Sequence, residues 1–480
     1  MKPSFRFQFL SVRFLLPFTI FSGSETVCQE FYPSCRRRLP FAGPSLVSPF
    51  PEVQSVLPVA LRSLQHRNFR LFAGGQIISM TGTWVQLVAQ SWLVYRLTGR
   101  ATLLGLVGFA AQFPIFLLAP IGGAIADRFE RRRILVVTQS IAMVLAFLLA
   151  ALTLGGIVHE WHIVALAAAM GIVNAFDIPT RQSFLVEMVG REDLINAIGL
   201  NSSLFNGARM TGPAIAGVLV AAIGEGWCFL LNGVSFAAVI VALLAIRVAP
   251  FQPPSKEAST LTRIREGFAF AIGERPVRAL MLMLAFLSLT GMPFMVLMPV
   301  FADRVLDEGP AAYGILMSAS GLGALAGAVT LASRRDVQGL GGWVARAAVA
   351  FGALLAVFSF SRSLWLSVLL LLPIGFAMMV EISSSNTLIQ TMVPDALRGR
   401  VMAVYSMMFM GMAPAGSLLA GWAADRIGAP TTVLIGGVAC VAAAAVFRWS
   451  IPRLRADAQR LIVAQQMVGG DPPAGITSTG

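Results

Sequence analysis

Between Asn68 and Ile451 the chain is a succession of long apolar stretches, each broken by a short polar cluster. The stretches recur at about the 20 residues that a helix needs to cross a bilayer. In hydrocarbon every backbone N–H and C=O must be satisfied internally, and a helix does this within one segment. Charged residues are 12% of the 480, and 56% are hydrophobic. Soluble domains carry about 25% charged residues, so too little polar surface remains to wrap a water-soluble core. The pattern predicts an all-α polytopic membrane protein.

Twelve transmembrane helices are expected near 70–97, 102–125, 134–155, 161–180, 194–223, 227–247, 279–301, 311–332, 343–360, 364–390, 401–424 and 431–450. Lys and Arg are retained on the cytoplasmic side of short loops. With the N-terminus inside, the inner loops carry sixteen such residues, from Arg128 and Arg131–Arg133 through Arg181, Arg191, Lys256 and Arg278 to Arg398 and Arg400. The outer loops carry five: Arg96, Arg100, Arg304, Arg362 and Arg426. This bias places both termini in the cytoplasm. Trp161, Trp227, Trp343, Trp365, Trp422 and Trp449 fall near expected helix ends, where amphipathic rings prefer the interface. The net charge of +13 does not imply nucleic acid, because the charges sit in short loops and form no basic domain.

Five regions follow: an N-terminal extension (1–60), a six-helix bundle (61–248), a cytoplasmic linker (249–278), a second six-helix bundle (279–452) and a disordered cytoplasmic tail (453–480). The extension holds one short apolar run, Phe14 to Phe21, interrupted by Pro17; it reads as a disordered tail or as translation begun upstream of the true start. In the linker, Ser259 to Ile272 has the pattern of a short amphipathic helix. The two bundles align without gaps at one offset: Ile178 meets Ile382, Gly212 meets Gly416, Gly217 meets Gly421, Gly224 meets Gly428, and Asp177 faces Glu381, each 204 residues on. Parallel repeats of this kind rock against one another around a site near the midplane. Cys28 and Cys35 lie in the extension, Cys228 and Cys440 inside apolar spans, with no metal-ligand or disulfide spacing.

The second span ends in Gly123-Ala-Ile-Ala-Asp127-Arg128-Phe129-Glu130-Arg131-Arg132-Arg133. Gly123 is a small residue of the kind that lets a neighbouring helix approach. Asp127 can cap or pair at the helix end, and Arg128, Arg131 and Arg132 suit the anionic inner leaflet. The fifth span carries Gly199, Ala208, Gly212-Pro213 and Ala216-Gly217, a set suited to close packing and a kink. The first segment resembles the G-x-x-x-D-R-x-G-R-R loop of the major facilitator superfamily, with Glu130 at a glycine position. The second is similar to that superfamily's antiporter motif, with alanine at two glycine positions. Asn174-Ala-Phe-Asp177-Ile-Pro179-Thr-Arg181, Arg398-Gly399-Arg400-Val401 and Gly421-Trp-Ala-Ala-Asp425-Arg426 extend the resemblance to the enterobactin-exporter and drug–proton antiporter branch. The resemblance covers 62 to about 452 and implies the major facilitator fold, export and antiport. One feature departs: drug antiporters of the superfamily carry an arginine early in the fourth span, and Trp161 to Gly171 has none.

Gln76, Ser79, Thr83, Gln86 and Gln90 recur at helical spacing on one face of the first span, beside Trp84. Such a face lines a polar cavity or bonds to another helix. Ionisable side chains in a membrane cost about 2.5–3.5 kcal/mol on insertion scales and mark function by default. Asp177, Arg181, Arg209 and Glu381 meet this description, and Asp177 or Glu381 is the expected proton-responsive carboxylate, opposed by Arg209. A static interior ion pair is the alternative. His66, His159 and His162 lie at helix ends or loops, without a nucleophile–base arrangement or nucleotide-binding loop, so an enzyme is not expected. No cofactor or metal is expected either. The expected partners are a small-molecule substrate, protons and the lipid bilayer, with the chain a monomer in a bacterial inner membrane. Proton-coupled export of an amphipathic siderophore or drug leads; an importer, a lipid flippase or a non-transporting sensor are the alternatives.

Overall fold

The computed structural model describes residues 59–248, 260–334 and 339–468. Most of the N-terminal extension with Cys28 and Cys35, the linker residues 249–259 and the tail beyond 468 lie outside them. The described chain is helical throughout. A short turn, Val59–Gln65, leads into α1 (Arg67–Thr98), α2 (Ala101–Ala126), α3 (Arg131–Leu154), α4 (Glu160–Val189), α5 (Leu194–Ile223) and α6 (Glu225–Ala245). After the linker come α7 (Thr260–Gly273), α8 (Arg275–Thr290), the single turn α9 (Met298–Val300), α10 (Pro310–Ala332), α11 (Leu340–Phe358), α12 (Leu364–Met392), α13 (Asp395–Ile427) and α14 (Ala429–Val468).

Among the described residues, ten helical segments are long and apolar enough to cross a membrane. The segments expected as the first and fifth spans, α1 and α5, are not among the ten. Both are long enough, at 32 and 30 residues. What lowers their hydropathy is side-chain chemistry: three glutamines in α1, and Asn201, Ser202, Asn206 and Arg209 in α5.

Three helices end differently from their expected limits. The fourth span does not stop at 180, because α4 carries Pro179 inside it and continues to Val189. Phe184, Leu185, Met188 and Val189 bury an apolar face there against Phe69, Phe72 and Ala197, which holds the helix beyond the proline. The seventh span is not one helix to 301. Helix α8 ends at Thr290, where Gly291 lies under the Phe351 ring and Cys440, and Pro293 and Pro299 lack the N–H that would continue the ladder. The expected disorder from 453 is also incorrect as far as Val468. There α14 packs Leu454, Ala458, Leu461 and Ile462 onto the main core at helical spacing.

The repeat is visible in the pairing of helices. In the first half, α1 packs on α5 and α6, α2 on α4, and α3 on α4 and α6. In the second, α8 packs on α13 and α14, α10 on α12, and α11 on α12 and α14. The extensive contacts between the two sets are α2 with α13 and α5 with α10, again equivalent. Glycine makes the same contacts twice. Gly171 meets the Ala111 backbone as Gly375 meets that of Ser320, and Gly217 rests on Pro310 and Gly314 as Gly421 rests on Ala101 and Gly105. Gly224 and Gly428 both turn the chain between helices at positive φ, 81° and 85°, where a side chain would be strained.

Not every motif glycine packs. A Cβ at Gly123 would meet nothing within 4 Å, whereas one at Gly122 would collide with the Ala175 backbone of α4. One residue turns the helix by about 100°, and Gly122 is the one facing inward. Gly199 is likewise free, while Gly212 admits Trp84. Gly122→Ala should therefore cost about 1–3 kcal/mol by overpacking, and Gly123→Ala nothing or a slight gain. The thermal midpoint of the detergent-solubilised protein reads this difference.

Candidate functional site

The site is clearest on α5. Ile195, Ile198, Ser202, Phe205, Asn206 and Arg209 share one face of that helix. Ile195 is 85% exposed and Phe205 46%, and Asn206 and Arg209 are half-buried. One turn further along the same face, Gly212, Pro213, Ala216, Gly217 and Val220 are buried. The opposite face, with Ile215 and Val218, stays exposed as a lipid-facing stripe would. Helix α13 repeats the pattern: Ala403 and Ser406 are exposed, Met410 is half-buried, and Pro414, Ser417, Gly421 and Ala424 are buried. Both helices thus open inwardly at the end that carries the arginine-rich loops and close at the other.

The closed end is sealed by specific contacts. The Asp425 carboxylate of α13 accepts the backbone N–H groups of Ala101 (2.7 Å) and Thr102 (2.9 Å) and the Thr102 hydroxyl (2.5 Å). Arg100, at the cap position of α2, makes no side-chain cap. The first turn of α2 is therefore capped from across the interface, where an anion also meets the helix dipole favourably. Arg304 donates to the Gly99 carbonyl at 2.7 Å, and Trp92 stacks on Tyr313 with ring centroids 6.4 Å apart. Gly314 lies against the Pro213 carbonyl and Gly217.

The polar face of α1 divides between two roles. Gln76 accepts from Arg181 at 3.0 Å, and Gln86, only 8% exposed, accepts from Asn232 of α6 at 2.7 Å. Gln86 is thus placed between helices and not on the open face. Thr83 is exposed, Gln90 and Trp84 are half-buried, and the Trp84 ring lies 6.2 Å from that of Phe205.

The two membrane carboxylates occupy equivalent positions in very different surroundings. Asp177, 1% exposed, accepts from Thr138 (2.9 Å) and Gln139 (2.8 Å) of α3 and pairs with Arg181 one turn on. Helices α1, α3 and α4 are tied together through this group. Glu381 is equally buried and accepts only from Ser385, at 3.2 Å, while its Oε2 has no partner among the described residues. Ser385 stands where the repeat has Arg181: the cation of one half is a hydroxyl in the other. Arg209 joins neither carboxylate, so the expected opposition between them is not formed in this structure. Sequence reasoning missed Thr138, Gln139 and Asn232 as partners. Each is a polar residue inside an otherwise apolar span, and that was the available signal.

Three of the four arginines of the α2–α3 loop bond within the protein, while Arg128 is exposed. Arg131 pairs with Glu187 of α4, Arg132 donates to the Ile246 carbonyl at the end of α6 (2.8 Å), and Glu130 takes Arg133 at 2.6 Å. Asp127 is 61% exposed and lies 3.8 Å from Arg131. Nearby, Asp193 gathers the segment before α1: Arg62 at 3.0 Å, His66 at 2.7 Å and Gln65 at 3.1 Å. The His66 hydrogen bond, with Gln65 and Arg62, holds the Asp193 carboxyl below the usual carboxylate range against the opposing effect of burial. A lowered folded-state value means that the stabilisation is complete above the unfolded value of about 3.9 and is lost as pH falls through the folded one. Asp193→Asn should lower the thermal midpoint at pH 7 and flatten its acid-side decline, as followed by pH-dependent melting.

Helices that span a membrane many times, with a polar face opening to one end between two related sets, define a membrane transporter. The chain belongs to the transmembrane secretion effector family of the major facilitator superfamily, whose family model matches residues 59–468. It is 26% identical to a staphyloferrin A transporter of Staphylococcus aureus, over 79% of this chain and 95% of that protein. It is 28% identical to the multidrug efflux pump Tap of Mycolicibacterium fortuitum, over 74% and 88%. Among solved structures, the nucleoside transporter NupG superposes with a TM-score of 0.64 at 14% identity, covering 80% of this chain and 98% of that one, a likeness of fold.

Proposed function

We propose that the protein is a proton-coupled exporter of amphipathic small molecules that works by alternating access. In this reading α1 and α5 complete ten apolar segments to twelve spans, in two pseudo-symmetric six-helix bundles with both termini in the cytoplasm of a bacterial cell. The supporting observation is the one-sided opening of the inner faces of α5 and α13. A static scaffold has no reason to leave polar residues wetted at one end of a face and sealed at the other; a carrier does, since this is one of its two states. The open end bears the arginine-rich loops and so faces the cytoplasm, where an exported molecule enters. Relatives named for a siderophore and for multidrug efflux support the substrate class.

Glu381 is the proposed proton carrier. Without a cation beside it, a carboxyl is neutral only while it holds a proton. Asp177, with its own arginine, is neutralised permanently and is the structural member of the pair. Opening the far side requires the Asp425 and Arg304 contacts to break, admitting a proton as substrate leaves. The test is accumulation of siderophores and hydrophobic antibiotics in inverted vesicles, with and without a proton ionophore. Ionophore-sensitive uptake is expected; uptake that ignores the ionophore would remove the proton from the mechanism.

A further inference from the structure

Arg209 is a half-buried cation in the middle of α5 with no hydrogen bond or ion pair to any described residue. A guanidinium keeps its charge under all ordinary conditions, so the cost of holding it in a membrane must be met by water or by an anion. The two membrane carboxylates do not supply one. Asp177 holds Arg181, and Glu381 lies under Ser385 on α12. The neighbouring helix α10 sets Gly321 against the Arg209 backbone and carries no acidic residue along its length.

The surroundings of Arg209 suit a particular shape of ligand. Trp84 has its Cβ against Gly212, one turn beyond Arg209, and its ring reaches to within 6.2 Å of the Phe205 ring, one turn before it. An apolar wall of two aromatic rings therefore runs alongside the cation. Ser202, exposed, extends the same face towards the opening. On the far side the buried glycines and proline of α5 close the floor.

We infer that Arg209 is the anion-receiving group of the crevice, and that its substrates are amphipathic acids whose carboxylate meets the guanidinium while an apolar or aromatic body lies on Trp84 and Phe205. This rests on the crevice reading above. A planar guanidinium forks onto a carboxylate through two parallel hydrogen bonds, and rings stack offset or edge-on against the aromatic pair. Neutral molecules of the same shape keep only the second contact. Arg209 thereby sets selectivity between acids and their neutral analogues.

The test uses 1-naphthoate and 1-naphthamide, equal in shape and different in charge, with affinities measured by calorimetry on the full chain in detergent. The wild type should bind the acid at least about tenfold more tightly than the amide, the worth of one charge-assisted contact. Arg209→Gln should abolish that preference and leave amide affinity within about twofold, while Arg209→Lys keeps part of it. Equal binding of acid and amide by the wild type, binding of neither, or equal weakening of both by Arg209→Gln would overturn the inference. Repetition in nanodiscs containing phosphatidylglycerol separates a small acid from a lipid headgroup. Loss of naphthoate binding there would make the lipid the occupant and also overturn it. Selective binding without vesicle transport would leave the site standing and remove the exporter reading instead.

Discussion

Replacing Glu381 by glutamine is expected to reduce gradient-driven accumulation in inverted vesicles to the leak of empty ones, while substrate binding and folding persist. The side chain keeps its size and can still accept from Ser385, and only the ability to hold and release a proton is lost. Because Oε2 has no partner among the described residues, the amide should change stability by no more than about 1 kcal/mol. Asp177→Asn is the contrasting variant. It leaves the Arg181 guanidinium without its carboxylate between α1, α3 and α4, at a cost of about 3 kcal/mol, and should appear first as a lower melting temperature. If glutamine at 381 transported normally while asparagine at 177 abolished coupling in a fully folded protein, the proton assignment would pass to the first half.

The second large effect is expected at the seal between α5 and α10. A Cβ on Gly217 would lie 2.9 Å from the Pro310 carbonyl and 3.0 Å from Gly314 Cα, so a leucine there cannot coexist with the closed contact. Overpacking of this kind costs about 1–3 kcal/mol, enough to move a two-state equilibrium by a factor of about 5–150. Gly217→Leu should therefore favour the state open at that end and stop turnover. Spin labels at exposed Ala222 and Glu308 should report a longer separation than in the unmutated background. At Gly199, in the same sequence motif, a Cβ would meet nothing within 4 Å, and Gly199→Leu should transport within about twofold of wild type. Equal behaviour of the two variants would show that the motif acts through sequence identity and not through this contact.

Much of the fold is legible in one dimension because hydrocarbon imposes one rule on every segment alike. Ten apolar stretches emerge as helices that can cross a bilayer, and the 204-residue offset reappears as repeated glycine contacts. Less legible is where a helix ends when another helix holds it. Pro179 argues for a boundary in α4, and the packing of Phe184 and Met188 overrides it. The polar tail after 453 argues for disorder, and an apolar stripe on α14 overrides that.

At the site, the sequence determined which chemical groups the membrane must accommodate: Arg209, Asp177 with Arg181, Glu381, and a polar face on the first helix. Hydropathy exposes such residues because each is costly in lipid, wherever it points. Only the tertiary structure decided their allegiances. It gave Asp177 to Arg181, set Gln86 against Asn232, and left one oxygen of Glu381 without a donor and the half-buried Arg209 without an ion pair among the described residues. Those outcomes depend on which helices adjoin and at what rotation, and a step of one residue, as between Gly122 and Gly123, turns a contact into a void.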